Sequence, residues 1–264
     1  MTAGTLEINI ERKAYQPSSG GDRRVAIENL KLTVLDREFL CIVGPSGCGK
    51  TTLLNIIAGL DRDAIGSVTL GNNHSLENTR ISYMFQTPRL LPWLSVLENV
   101  QLVLDDTPEN SGKAEKLLNQ MDLADSLNEF PNRLSGGMQR RVALARAFVT
   151  KPDFLLLDEP FVSLDLPVGN LLRQLLLNLW QQSPTTVIFV THDLRESIFL
   201  ADRIAFLSRG PSRVILSEPV SIARPRNVED PEIDKFRKNL LSKHQSLLHG
   251  TASQHSQTVI GDFN

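Results

Sequence analysis

Eight residues from Gly44 to Thr51 have the types and spacing needed to grip phosphate. They read Gly44-Pro45-Ser46-Gly47-Cys48-Gly49-Lys50-Thr51: a glycine, four free positions, then Gly-Lys-Thr. Glycines let a backbone wrap closely, so successive N–H groups face inward on anionic oxygens. Lys50 adds a point charge between terminal phosphates, and the Thr51 hydroxyl suits a Mg²⁺ ion. The helix that follows offers its N-terminus, itself an anion site. The plain alternative is a Gly-rich turn with an incidental lysine. Against it, the loop lies between a short apolar run, Phe39–Val43, and a helical pattern, Lys50–Ala58. Cys48 occupies a free position as a small filler, with a redox role as the alternative.

A second group is Phe154-Leu155-Leu156-Leu157-Asp158-Glu159, an apolar strand ending in two carboxylates. Ligands of open α/β sheets bind at the carboxyl ends of strands. There Asp158 is placed to hold Mg²⁺ through its water shell. Glu159, one residue on, points elsewhere and can polarise an attacking water, as phosphoryl transfer requires. Two solvated acids at a strand end are a common arrangement, so the pair gains its meaning from the loop. A third group, Leu134-Ser135-Gly136-Gly137-Met138-Gln139, precedes a helical stripe over Gly136–Thr150. Ser135 can cap that helix while Gly136 and Gly137 expose N–H groups, which makes a second anion site. In isolation an ordinary capped helix is the simpler reading.

The elements that must position these groups alternate. Thr5–Glu11 alternates apolar and polar, Val25–Val43 holds strand-like runs, and Val68–Leu70 and Ile81–Phe85 are short strand candidates. Val96–Met121 looks helical but broken over Asp105–Gly112 by Pro108 and Gly112. Phe154–Leu157, Thr186–Val190, Ile204–Leu207 and Val214–Leu216 read as strands and Leu171–Trp180 as a helix. Strands alternating with helices predict an α/β fold with a largely parallel sheet. Glu232–Leu248 reads as a helix docked outside, and Gly250–Asn264 as polar and mobile.

Composition narrows the function classes. Hydrophobic residues are 41% and charged residues 22% of 264, which excludes collagen-like, coiled-coil and wholly disordered chains. Lys plus Arg total 28 against 30 Asp plus Glu, so bulk charge does not advertise nucleic-acid binding. No run of 18 apolar residues occurs, and Met1–Ile10 lacks the apolar core of a signal peptide. Two cysteines, Cys41 and Cys48, point to a reduced, cytosolic setting.

Taken in order, the phosphate loop, Gln86, the Ser135–Gly137 sequence, the acidic pair and His192 resemble the ABC ATPase superfamily over about Leu6–Glu218. The resemblance implies an α/β P-loop ABC ATPase with a largely parallel core sheet, an N-terminal antiparallel β part and a helical subdomain. It implies an ATPase domain over 5–220 (helical subdomain about 87–150), a C-terminal helical extension over 221–249 and a mobile tail over 250–264. The implied cofactors are ATP and Mg²⁺. Gly44 through Thr52 would hold nucleotide, with Thr51, Gln86 and Asp158 on the metal. Gln86 resembles the glutamine that senses Mg²⁺ and the γ-phosphate. Ser163-Leu164-Asp165 resembles the D-loop, with Asp165 near nucleotide. His192 resembles the switch histidine, and with Glu159 it would be catalytic. Tyr15 resembles the aromatic that stacks on adenine. Arg140 and Arg141 would be mostly structural or lie at the rim. In this family two copies meet head to tail, with ATP between the loop of one and Ser135–Gly137 of the other.

The segment Gln86-Thr87-Pro88-Arg89-Leu90-Leu91-Pro92-Trp93 resembles importers, most closely the nitrate, sulfonate and taurine group, as does Ala223-Arg224-Pro225-Arg226. That implies a subunit on the cytoplasmic face of a bacterial inner membrane, with exposed Pro92 and Trp93 near the joint with a permease. Its partners would be integral membrane permease subunits, a second ATPase subunit (a copy or a related chain) and, indirectly, a periplasmic or lipoprotein substrate-binding protein, with no nucleic acid. The cargo would be a small anion: nitrate or nitrite, bicarbonate, a sulfonate or taurine. At this length the expectation is a subunit without a fused substrate-sensing domain. An exporter subunit, a soluble ABC ATPase of DNA repair or translation, and a phosphotransferase on another P-loop fold are the alternatives.

Overall fold

Alternation of apolar and polar residues starts the fold. Leu6, Ile8 and Ile10 are buried while Glu7, Asn9 and Glu11 face outward, the pattern of a strand with one wet face. The computed structural model describes residues 4–16, 23–71 and 74–251. These fall into two compact units, residues 76–189 and residues 4–75 with those from 190 onward.

In the second of these units, β1 (Leu6–Tyr15) lies between β2 (Arg24–Val34) and β4 (Ile65–Leu70), antiparallel to both. The register between β1 and β2 shifts at Lys13/Ala14, where Ala26 of β2 is the extra residue. The short apolar run becomes β3 (Phe39–Val43), buried along its whole length. It pairs in parallel with β8 (Arg203–Leu207), from Leu40 against Arg203 to Val43 against Phe206, and β9 (Val214–Pro219) returns antiparallel to β8. Helix α1 (Lys50–Ile57) follows β3 at the phosphate loop.

The other unit holds β5 (Ile81–Met84) parallel to β6 (Phe154–Asp158), from Ile81 against Phe154 to Met84 against Leu157. Its helices are α2 (Val96–Gln101), α3 (Pro108–Gln120), α4 (Gly136–Phe148) and α5 (Leu166–Gln182). Here the structure corrects two expectations. The expected break between helices is present, over residues 102–107, but Pro108 opens α3 and does not cause the break, because Thr107 caps α3 through the Asn110 N–H and proline at the first position loses no hydrogen bond. Gly112 then lies inside α3. Helix α5 starts at Leu166, earlier than Leu171, with Pro167 in its first turn. The chain passes from this unit to the other within β7 (Thr186–Thr191).

After β7 comes α6 (Leu194–Leu200), which the apolar pattern does not reveal. Leu194, Ile198, Phe199 and Leu200 are all buried, so no polar face marks a 3.6-residue stripe. Its available signal is the cap: the Asp193 carboxylate accepts from the Arg195 and Glu196 N–H groups. Its other end is closed by arginines. Arg226 donates to the carbonyls of Ile198 (2.8 Å) and Ala201 (2.6 Å), and Arg224 to that of Leu200 (2.5 Å) and to Asp202. The last carbonyls of a helix lack intrahelical partners, and these guanidinium groups supply them. Burial, with the Arg224 charge beside it, pulls the Arg226 guanidinium down to about 10. Beyond them α7 (Pro231–Lys243) is tied back to α6 by an Arg195–Asp234 ion pair at 2.5 Å. The helix expected over Glu232–Leu248 is thus α7 followed by a short 3-10 turn, Leu247–His249. Gly250 accepts from the Arg209 N–H, and the rest of the expected mobile tail, beyond residue 251, lies outside the described residues. Among the described residues no helix is long and apolar enough to cross a membrane.

Candidate functional site

The phosphate loop ends at Gly49, whose φ of 111° begins α1 from the left-handed region. A side chain there would be strained and would bring its Cβ to 3.2 Å from the Ala26 carbonyl oxygen. No side chain caps α1, so the amides of its first turn are not spent on a cap. Lys50 is buried, and its ammonium donates to the Gly44 carbonyl (2.9 Å) and the Pro45 carbonyl (3.0 Å). The cation therefore lies over the loop's own backbone. Ser46, Gly47 and Thr51 are exposed, and Thr52 is half-buried. A polyphosphate fits this donor set: unspent amides, a fixed cation and an exposed hydroxyl. Cys48 is buried, and burial pushes its thiol above the ordinary range, as suits a filler and not a thiolate.

Two more expected residues share this unit. The Tyr15 phenol lies 3.0 Å from Asp61 Oδ2 and 3.2 Å from Thr52 Oγ1, which brings its partly exposed ring to α1. Burial, together with Asp61, raises the phenol against a lowering contact from Thr52. His192 is exposed at the end of β7, on a turn that is tightly knotted. The buried Thr191 hydroxyl donates to Glu196 at 2.6 Å and accepts from the Asp193 N–H at 3.0 Å.

The remaining expected residues belong to the other unit. Asp158 ends β6 in a buried position and accepts from the Tyr83 hydroxyl at 3.5 Å. Burial and that carboxylate raise the Tyr83 phenol well above its usual range. Glu159, half-buried, has a φ of 43° and Ser163 one of 61°. Left-handed backbone at residues other than glycine is uncommon and concentrates at working sites. Here it turns Glu159 off the line of β6. Gln86 is exposed, two residues past β5, and Asp165 is exposed at the start of α5.

The serine and glycines before α4 separate into different roles. The Ser135 hydroxyl accepts from the Met138 N–H at 3.2 Å, capping the helix as expected. Gly137 is buried, and a Cβ there would meet Val168 Cγ1 at 2.6 Å. Its small size is thus demanded by packing on α5. Gly136 is exposed and a Cβ would meet only the end of the Arg140 side chain at 3.8 Å. Packing does not explain Gly136. Arg140 donates to the carbonyls of Pro160 and Val162, both at 2.7 Å, and so ties α4 to the turn that carries Glu159 and Asp165. Arg141 donates to the Met121 carbonyl at 2.9 Å.

The ABC transporter family model matches residues 10–162, which span the loop, Gln86, the capped glycine pair and the acidic pair. The chain belongs to the ABC transporter family. It binds ATP and is an ATPase coupled to transport. Relatives include the aliphatic sulfonates import ATP-binding protein SsuB of Bacillus subtilis, 39% identical over 242 residues covering 91% of this chain and 94% of the relative. The aliphatic sulfonates import ATP-binding protein SsuB 2 of Burkholderia cenocepacia is 42% identical over 241 residues, covering 91% and 87%. Among solved structures, the ATP-binding cassette MJ0796, a dimer in a post-hydrolysis state bound to ADP and phosphate, superposes with a TM-score of 0.72 at 33% identity. That match covers 83% of this chain and 100% of the cassette.

Four contacts in this ATPase escape the motifs. They are Lys13 with Asp61, Arg140 with the Pro160 turn, Thr191 with Glu196, and Arg226 with the end of α6. Glu196, three residues after the Asp193 cap, carried the only local signal.

Proposed function

We propose that this ATPase is the nucleotide-binding subunit of a membrane importer whose cargo is an aliphatic sulfonate. The observation that carries the nucleotide part is the uncapped start of α1 with Lys50 held over the loop. The import role and the cargo are supported by the sulfonate-import relatives near 40% identity across nine tenths of the chain. Of the small anions that the sequence suggests, nitrate, bicarbonate and taurine have no comparable support among these relatives.

Each residue has a role that follows from its chemistry. The amides from Gly44 to Thr51 and the Lys50 ammonium bind the phosphates and neutralise them. Thr51, Gln86 and Asp158 would hold Mg²⁺, one hydroxyl, one amide and one carboxylate, with water completing the shell that this hard cation keeps. Bound MgATP supplies the phosphoanhydride that is broken. Glu159 accepts a proton from the attacking water, and His192 orients by hydrogen bonding. Ser135 and Gly136 of a second copy, or of a related chain, complete the anion site, and the dimeric state of the similar cassette supports that pairing. Asp165 lies on the same turn as Glu159 and would meet the partner there.

Docking to a permease has its own support. Ser95 and Glu98 cap α2 reciprocally, and the fully buried Asn99 bonds the backbone of Leu91, Leu94 and Ser95. These bonds hold the turn that presents Trp93 with 69% of its surface exposed. A rigid turn that displays a large apolar side chain suits a protein partner. The subunit would then lie peripherally on the cytoplasmic face of the membrane, with a substrate-binding protein acting on the far side. Deleting the gene should abolish growth on alkanesulfonates as sulfur source and spare growth on nitrate or taurine. The reverse pattern would overturn the cargo assignment. Glu159→Gln should bind ATP and stay paired while hydrolysis falls by about 10²–10⁴-fold, and unchanged hydrolysis would overturn the role of Glu159.

A further inference from the structure

Tyr15 is held by a small network that no nucleotide motif includes. Lys13 is almost wholly buried, and its ammonium donates to Asp61 Oδ1 at 2.6 Å. Asp61 Oδ2 lies 3.0 Å from the Tyr15 phenol, which also lies 3.2 Å from Thr52 Oγ1. One phenolic proton cannot serve both neighbours. An ionised carboxylate only accepts, so Tyr15 donates to Asp61 and the Thr52 hydroxyl donates to Tyr15. Hydrogen bonds that run in one direction reinforce one another. Burial alone would raise the Asp61 carboxyl. Bonds from Lys13, the Asp63 N–H and Tyr15 outweigh it and hold Asp61 below the ordinary range.

The placement of these groups is specific. Thr52 is in the first turn of α1, and Asp61 follows its last, tethered by the bond from its N–H to the Asn55 carbonyl. One phenol therefore joins β1 to both ends of the phosphate-loop helix. Lys13 and Tyr15 lie two positions apart in β1, the spacing that puts two side chains on one face of a strand. The Lys13 ammonium lies 4.7 Å from the centroid of the Tyr15 ring. It covers one ring face, so a flat partner stacks on the other, and the cation draws electron density from the face that the partner meets.

We propose that Asp61 and Lys13 are positioning residues for nucleobase recognition: Asp61 fixes the Tyr15 phenol relative to the phosphate loop, and Lys13 is the counter-ion that keeps Asp61 charged and one ring face covered. This rests on the reading that Tyr15 stacks on the base of ATP. A base and a triphosphate are joined by a short sugar, so a ring held at a fixed offset from the loop helix binds both at once without loss of side-chain freedom.

The test uses the full chain and two probes, ATP and inorganic tripolyphosphate, with affinities read by calorimetric titration. Asp61→Ala and Tyr15→Phe should each weaken ATP binding about tenfold, and the double variant should be no weaker than either alone, because the two act through one bond. Asp61→Asn has one oxygen where the carboxylate offers two, so it cannot accept from both Lys13 and Tyr15 and should also weaken ATP binding. Tripolyphosphate, which has no base, should bind every variant as it binds the natural chain, and this also shows that the loop is intact. Wild-type ATP affinity in Asp61→Ala, alongside a loss in Tyr15→Ala, would overturn the positioning role alone. Wild-type affinity in Tyr15→Ala would overturn the stacking reading itself. Equal losses for ATP and tripolyphosphate in Asp61→Ala, or additive losses in the double variant, would overturn the proposal in favour of a purely structural ion pair.

Discussion

Helices α1 and α4 both begin after glycines, yet they treat their first amides differently. At α1 no side chain caps the helix, and the Lys50 ammonium bonds to carbonyls. At α4 the Ser135 hydroxyl already satisfies the Met138 N–H. The first start holds its donors in reserve, and the second has spent one on its own stability. The difference matches two kinds of anion site: one that binds a phosphate chain alone, and one that contributes a few donors once a ligand is already held. For Ser135 to meet a phosphate, it must share or exchange the Met138 bond.

The comparison can be broken at several points. Lys50→Ala should have the largest effect, a loss of about a hundredfold or more in ATP affinity, because a charge-assisted set of bonds to the phosphates disappears. A smaller loss on titration would mean that the amides act alone. Gly137→Ala should destabilise the chain by about 1–3 kcal/mol, since Val168 stands 2.6 Å from the new Cβ. Gly136→Ala should leave the melting temperature unchanged and lower only hydrolysis. Equal melting temperatures for the two variants would remove the division between them. Ser135→Ala should cost about 1 kcal/mol of stability, the ordinary value of a cap, seen in chemical denaturation. An unchanged midpoint would show that α4 is no better capped than α1. The smallest effect belongs to Cys48. Its thiol is buried and raised, so iodoacetamide near neutral pH should leave ATP binding unchanged, and rapid inactivation would show the loop to be open at that position.

What the sequence makes legible is what is contiguous. The phosphate loop lies within eight residues, and its chemistry follows from their order. The acidic pair and the Ser135 cap are equally local. Contacts that close over distance are not visible in that way. Lys13 and Asp61 are 48 positions apart, and each alone is an unremarkable surface charge. Arg226 reaches carbonyls 25 to 28 positions earlier, and carbonyls have no sequence code at all. Helix α6 hides for a different reason, since a short helix buried on most sides has no polar stripe. Pro108 misleads because proline reads as a breaker until Thr107 is recognised as the cap before it.

The arginine closure of α6 bears on where this chain can be cut. A boundary drawn at residue 220 would leave out Arg226 and its bonds to Ile198 and Ala201. Those carbonyls would then face the apolar surroundings of Leu200 and Phe199 unpaired. A gene trimmed to the motif-bearing region should therefore yield aggregated protein, whereas one ending after α7 should yield a soluble, ATP-binding chain. The practical minimal domain is set by an arginine that makes no contact with the nucleotide motifs.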